Sequence, residues 1–308
     1  MFAKNDKEFA MSNTLNFETQ SGDDPILLAQ AQTDALIQMV TEQITLDTFD
    51  RNDHQLLRRM VFEGLGDKRG LVRLRFAETL GQIGESATPF LVEALANHPD
   101  PVIRRAAAKT LTLIADPTAV PPLLHALLND EDTVVQGSAA GALARTGEAA
   151  VPALLDILAS PEHPESTKGQ AAWALAFMGS EAAEYLYKAL DSDCVDVRRA
   201  VVGALAHVAQ EQADEKATKI IVSSLTDPSA EIRTEAAAAL AQLNYPPAVP
   251  HLILALRDTD GEVRKAAVTS LGKLGDRTAL EPLKAALNDQ LEVVRLLAKL
   301  AISQIENH

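Results

Sequence analysis

From about residue 53 onward, apolar positions recur every three to four residues, the period of a helix buried on one face, and not in the alternation of a half-buried strand. The pattern then returns as a whole at a longer interval. Each copy runs from an apolar residue and a cation through Ala-rich apolar positions to a Leu and a closing small residue. Eight copies occur, with cation positions at Arg73, Arg104, Gln136, Lys168, Arg198, Arg233, Arg264 and Arg295, so that successive copies lie 31, 32, 32, 30, 35, 31 and 31 residues apart. Seven residues after the cation stand Leu80, Leu111, Leu143, Leu175, Leu205, Leu240 and Leu271, and Ile302 in the eighth copy. A second amphipathic segment, such as Ala119 to Leu128, precedes each copy across a short acidic turn. The predicted unit is helix, turn, helix. A row of such units, each burying its apolar stripe against the next, makes an all-α, right-handed solenoid of about eight helix pairs over residues 53–308.

Two further regularities support this register. Pro89, Pro121, Pro152, Pro250 and Pro282 fall in the first turn of the leading helices, where the missing N–H costs little. Asp67, Asp130, Asp227, Asp258 and Asp289 all lie six residues before the cation position. With Arg73, Arg104, Arg198, Arg233, Arg264 and Arg295 they predict an Asp–Arg ladder that pins repeat to repeat, each aspartate also capping the second helix of its unit. Gln136 and Lys168 interrupt the cation series, marking the third and fourth copies as different. Lys168 receives no role. Residues 1–22 are polar and without period, which predicts a disordered tail; residues 23–52 predict a helix capping the first repeat. Leu296, Leu297, Leu300 and Ala301 leave the last helix unusually apolar, as an interface would be.

Composition narrows the function. The chain has 47% hydrophobic but 4% aromatic residues and a formal net charge of −15, a field that repels phosphate backbones. Nucleic acid is excluded as an expected partner. No long uncharged apolar run predicts a membrane span, no signal-peptide core is visible, and a single Cys194 precludes an internal disulfide, so a cytoplasmic protein is expected.

The stretches AVPPLLHALLNDEDTVVQGSAAGALARTG and PHLILALRDTDGEVRKAAVTSLGKLG resemble HEAT repeats of the phycobilisome-lyase-like class, over roughly residues 53–306. The stretch ESTKGQAAWALAFMGSEAAEYLYKAL is similar to cyanobacterial members: E/F-type bilin lyases, phycobilisome-degradation proteins, and a helper of an A-type iron–sulfur scaffold. The resemblance implies a protein partner, either a phycobiliprotein subunit, a second HEAT subunit or an iron–sulfur scaffold. It also implies no intrinsically bound cofactor, with a phycobilin as a transient ligand.

Conventional catalytic signatures are missing: no GxxxxGK[ST], HExxH, CxxC or GxSxG motif occurs, and the histidines are dispersed. The informative positions lie five and nine residues after the cation, on the face of each second helix turned from the packing. At plus five stand Glu78, Lys109, Gly141, Trp173, Gly203, Ala238, Thr269 and Leu300; at plus nine, Gln82, Leu113, Arg145, Phe177, His207, Gln242, Lys273 and Gln304. Only the fourth copy carries two aromatics there, and both flanking copies place glycine beside Trp173. In a HEAT array the second helices line the concave surface, so a groove is expected with Trp173 and Phe177 on its floor, Gly141 and Gly203 beside them, and Arg145 and His207 at its edge. The alternative has both aromatics turned inward, filling space left by the glycines. Tyr185 and Tyr187 read as packing residues, Cys194 as an ordinary thiol.

Two functions remain open from the sequence. In one, the chain is an interaction scaffold that holds a phycobiliprotein or an iron–sulfur assembly protein in this groove. In the other it is a subunit of an E/F-type bilin lyase, with Trp173 and Phe177 against the tetrapyrrole rings and Arg145 at a propionate.

Overall fold

A computed structural model describes residues 25–212 and 214–307, and all regular structure among them is helical. The expected disordered tail, 1–22, lies outside the described residues. The chain divides into two compact units between Phe76 and Ala77. This boundary falls inside a helix, where the sequence pattern had the array begin at residue 53.

The first unit holds α1 (Pro25–Thr45), α2 (His54–Arg59), which runs on into a π-helical turn over Met60–Gly64, and the start of α3 (Gly70–Ile83). Helix α1 buries Leu36, Ile37 and Val40, beside the fully buried Leu57, Met60 and Val61 of the following segment. Polar groups lock this contact. Asp67 accepts from Thr33 Oγ1 at 2.7 Å and Arg69 Nη2 at 2.8 Å, while Arg69 Nη2 also reaches Asp34 at 2.9 Å. The Arg69 bonds hold the Asp67 carboxyl well below the usual carboxylate range despite its burial.

The second unit takes in the end of α3 and seven helix pairs: α4 (Thr88–Asn97) with α5 (Pro101–Ile114), α6 (Val120–Asn129) with α7 (Thr133–Arg145), α8 (Val151–Ala159) with α9 (Glu165–Met178), and α10 (Ala183–Ala189) with α11 (Val195–Gln212). There follow α12 (Glu215–Ser224) with α13 (Ala230–Gln242), α14 (Val249–Ala255) with α15 (Gly261–Leu274), and α16 (Leu280–Ala286) with α17 (Glu292–Glu306). Odd-numbered helices stack in sequence, α5 on α7, α7 on α9 and so on to α17, as a HEAT-type solenoid requires. Leu80, Leu111, Leu143, Leu175, Leu205, Leu240 and Leu271 are all at most 1% exposed, so the register read from the sequence is the packing register. The eighth copy departs from it: Ile302 is only half-buried, and Ala298, Ala301 and Ile305 fill the last layer instead.

Second helices give way to a residue of positive φ eleven positions after the cation, for example Gly147, Gly179 and Gly275, with Ala115 and Asn244 also at positive φ elsewhere. Helices α11 and α17 depart from this. Helix α11 has Ala209 at this position and continues to Gln212, which accounts for the 35-residue spacing between Arg198 and Arg233, and α17 runs through Glu306.

The ladder aspartates bond differently from the expected capping role. Arg233 donates from Nη1 back to the carbonyl of Asp227 at 2.9 Å, and from Nε and Nη2 forward to the Asp258 carboxylate, both at 2.8 Å. Arg264 repeats this with the Asp258 carbonyl at 2.9 Å and the Asp289 carboxylate at 2.7 and 3.0 Å; Arg104 bonds the His98 carbonyl at 3.0 Å and Asp130 at 2.9 Å twice. Arg73 and Arg295 donate to the carbonyls of Asp67 and Asp289 at 2.6 and 2.7 Å. Each ladder carboxylate is stiffened by the N–H two residues on, as at Asp132, Ser229, Asp260 and Leu291. Capping falls to a second set of aspartates four residues before the cation: Asp100, Asp132 and Asp260. A carboxylate engaged by the preceding repeat's guanidinium is not free to turn onto its own helix.

Candidate functional site

The aromatic pair stands out from the packing. Trp173 and Phe177, one turn apart on α9, stack with ring centroids 5.2 Å apart and planes 27° from parallel, and are 51% and 54% exposed. The inward-turned alternative is therefore not the one the chain adopts. Every residue at the plus-five and plus-nine positions is exposed or half-buried, so the stripe was correctly placed.

Trp173 borders a groove of about 410 Å³ that crosses α9, α11 and α13. Its lining is small where the helices run closest: Gly169, Ala172 and Ala176 on α9, Ala200, Gly203 and Ala204 on α11. Lys168, Arg199 and Glu235 stand toward the helix N-termini, His207 and Gln242 toward the C-termini. Of the residues singled out in the sequence, Trp173, Gly203 and His207 line the groove, and Phe177 extends its wall by stacking on Trp173. Gly141 and Arg145 do not. Both lie on α7, where Arg145 is exposed and a Cβ added at Gly141 would meet nothing within 4 Å.

Gly203 also makes room for a side chain of the next repeat. A Cβ there would come 2.8 Å from Oε1 of Glu235, so the glycine makes room for a carboxylate reaching across from α13. Burial pushes the Glu235 carboxyl up from its ordinary value, and the positive charge of Arg199 offsets this only in part. Arg199 is itself drawn to Asp196 at 3.5 Å and Glu165 at 4.0 Å. Lys168 is no ordinary surface lysine: its side chain is 9% exposed and its ammonium lies 2.6 Å from Asp196, the bond that chiefly raises its pKa.

Glu235, Arg199, Lys168 and Gly169 are among the groove residues that sequence reasoning missed. A signal existed for Glu235. Two residues after the cation the other copies carry Arg75, Ala106, Ser138, Gln170, Ala200, Ala266 and Leu297, so it is the one acid in that register. Tyr185 and Tyr187 are half-buried on α10, outside the groove lining, and the Tyr187 hydroxyl donates to Asp214 at 2.6 Å. Cys194 is half-buried with its sulfur 3.9 Å from the Leu158 carbonyl oxygen. Among the described residues no group of three or more His, Cys, Asp or Glu is placed to hold a metal, and no helix is long and apolar enough to cross a membrane.

Stacked helix pairs tied by an Asp–Arg ladder define a class, and comparison with known proteins agrees: a model of HEAT repeats matches residues 58–144, 88–176, 120–206, 151–224 and 218–303, and the chain belongs to the HEAT-repeat family. Within that family it is 43% identical over 210 residues to the bilin biosynthesis protein MpeU of Synechococcus sp. (strain WH8020), an alignment covering 68% of this chain and 70% of that protein. The resemblance to bilin-lyase-like HEAT proteins seen in the repeats thus holds. Among solved structures, the complex of CpcE and CpcF of phycocyanin lyase from Nostoc sp. PCC7120 is 24% identical, with a TM-score of 0.43 over 50% of this chain and 98% of that one. The karyopherin Kap121p bound to the extreme C-terminus of the protein phosphatase Cdc14p is 14% identical, with a TM-score of 0.57 over 90% of this chain and 36% of that one, a likeness of fold.

Proposed function

We propose that the chain handles a bilin in the manner of an E/F-type lyase subunit, holding a linear tetrapyrrole transiently in the α9–α11–α13 groove and presenting it to a phycobiliprotein cysteine. The observation that carries this is the exposed, stacked Trp173–Phe177 pair at the rim of a groove of about 410 Å³, in a chain 43% identical to a protein of bilin biosynthesis. A bilin is flat, conjugated and carries two propionates. Its rings suit the aromatic pair, and its carboxylates suit the Arg199 guanidinium at the N-terminal end of the groove, a role the sequence had suggested for Arg145. Thioether formation adds the acceptor's S–H across a carbon–carbon double bond of the bilin, sulfur bonding one carbon and the proton the other, with no leaving group. Positioning the bilin is then the chief contribution asked of this chain.

The protein-partner side of the function has its own support, since Leu296 and Leu300 leave α17 with exposed apolar surface, 51% and 59% exposed. The partners in this reading are a phycobiliprotein subunit and a second HEAT subunit. Free bilin titrated into the purified protein should quench the fluorescence of the sole tryptophan with saturation. Absence of quenching, with capture of iron–sulfur assembly proteins instead of phycobiliproteins, would replace this reading by the scaffold one.

A further inference from the structure

We propose that Glu235 is the polar anchor of the groove, the carboxylate to which the inward-facing ring N–H groups of a bound linear tetrapyrrole donate. The proposal rests on the bilin reading above and goes beyond it in assigning the recognition of the chromophore's nitrogen edge, and of its protonated form, to one residue.

Three neighbouring helices contribute unlike surfaces at nearly the same height. Helix α9 offers the Trp173 ring, α11 is cut back to a hydrogen atom at Gly203, and α13 sends Glu235 across the gap that Gly203 leaves. The Glu235 carboxylate makes no hydrogen bond or ion pair with any described residue. Of the cations that line the groove, Lys168 is bonded to Asp196, and Arg199 lies 3.5 Å from Asp196 and acts on Glu235 through its charge alone. His207 of α11 stands further along toward the helix C-termini, and on α15 the cation closest in register, Lys265, is held by Glu262. A partly buried carboxylate normally finds donors within its own fold. Here the acceptor capacity is left facing a groove with an aromatic wall.

The ligand chemistry complements this arrangement. A curled linear tetrapyrrole turns its N–H groups to the inside of the curve, and in its protonated form it is a cation with a donor on every ring nitrogen. A single carboxylate can serve such an array, with charge-assisted bonds, while the π-face lies on Trp173. Burial of Glu235 in the free protein costs stability that the cationic ligand would recover, so the residue is suited to select the protonated chromophore.

The test measures visible absorption and Trp173 quenching together as bilin is titrated into the full chain and into Glu235→Gln. The unaltered protein is expected to bind with saturable quenching and to raise the long-wavelength band of the protonated bilin. Glu235→Gln should bind about ten- to hundredfold more weakly, the loss expected for a hydrogen-bonded charge, and should leave the bound bilin without that band, at unchanged helicity and with a melting temperature no lower than that of the unaltered protein. Glu235→Asp should restore the band in part. Gly203→Ala, which keeps the carboxylate but pushes it from its place, is the second variant and should show the same loss of band. Wild-type affinity and spectrum in Glu235→Gln would overturn this proposal while leaving the bilin reading intact. No quenching in the unaltered protein would remove the bilin reading and this proposal with it.

Discussion

The C-terminal pairs and the central pairs of the second unit are built from the same repeat but held together differently. Between α13, α15 and α17 the ladder is regular: Arg233 and Arg264 each grip a forward carboxylate through two bonds of 2.7 to 3.0 Å and a backward carbonyl through a third. Around α9 and α11 it is split. Among the described residues Gln136 makes only the backward bond, to the Asp130 carbonyl at 2.7 Å; Lys168 makes the forward one, to Asp196; and Arg198 approaches Asp227 no closer than 3.8 Å. An ammonium is a point charge and cannot reproduce the planar fork of a guanidinium. Other contacts make up the difference. The extra turn of α11 brings Glu211 to the backbone N–H of Ser180 at 3.1 Å, and Tyr187 ties α10 to Asp214 under the ammonium of Lys216, 3.6 Å from its ring centroid. The exposed stripe is polar or small on α13 and α15, where the ladder is regular, and carries its aromatic pair on α9, where the ladder is split. The exposed aromatic pair thus lies where the structural repeat is least strict.

The strongest way to break this comparison is through the core, which both regions share. Leu175→Ala in the centre and Leu271→Ala in the regular part should each cost about 2–5 kcal/mol in chemical denaturation, since both are fully buried. A loss below half a kcal/mol at Leu175 would mean that the central pairs are not packed in the common register. Replacing Trp173 and Phe177 together by Ala should cost about 2–4 kcal/mol of bilin binding by calorimetry while circular dichroism stays helical. Undiminished binding would move the site away from the central stripe.

Arg264→Gln should destabilise by about 2–3 kcal/mol, because Asp289 loses a charge-assisted pair that is 10–12% exposed on either side, yet leave bilin binding unchanged. Loss of binding at an unchanged melting temperature would make the ladder part of the recognition surface. The same contrast has a pH signature. Asp258 and Asp289 are held below their ordinary values, first by the bonds from Arg233 and Arg264. Stability from these pairs is therefore fully present above about pH 4, the unfolded carboxylate range, and is lost as pH falls through the lowered folded values. Melting temperature should drop in acid, and less steeply in Arg264→Gln. The smallest effect is expected at Gly141→Ala, about 0.5–1 kcal/mol of added stability, because the residue is mid-helix with open space where the methyl would go, and binding should not change.

The solenoid was legible because its information is local and repeated: spacing gave the helix pairs, and Leu at plus seven gave the buried face. The exposed aromatic pair was legible for the same reason, as a departure from a register already known. Arg145 and Gly141 show the limit. They share the register of Phe177 and Trp173 but sit one repeat to the N-terminal side, and the groove opens to the other side, across α11 and α13. A periodic pattern fixes height along a helix and which face is exposed; it does not say toward which neighbour a cleft widens.

The sequence by itself determined the number of helix pairs, their buried leucines, the residues of the regular C-terminal ladder and the exposed stripe of the second helices, because each depends on the helical period and on a repeat compared with its own copies. Tertiary structure alone decided how the ladder bonds are shared, since an arginine reaching forward leaves capping to the aspartate two residues further on. It also decided what the glycines are for. Gly203 is empty on its own helix, yet the space is occupied by Glu235, 32 residues away in sequence, and only packing α13 against α11 brings that carboxylate to the groove.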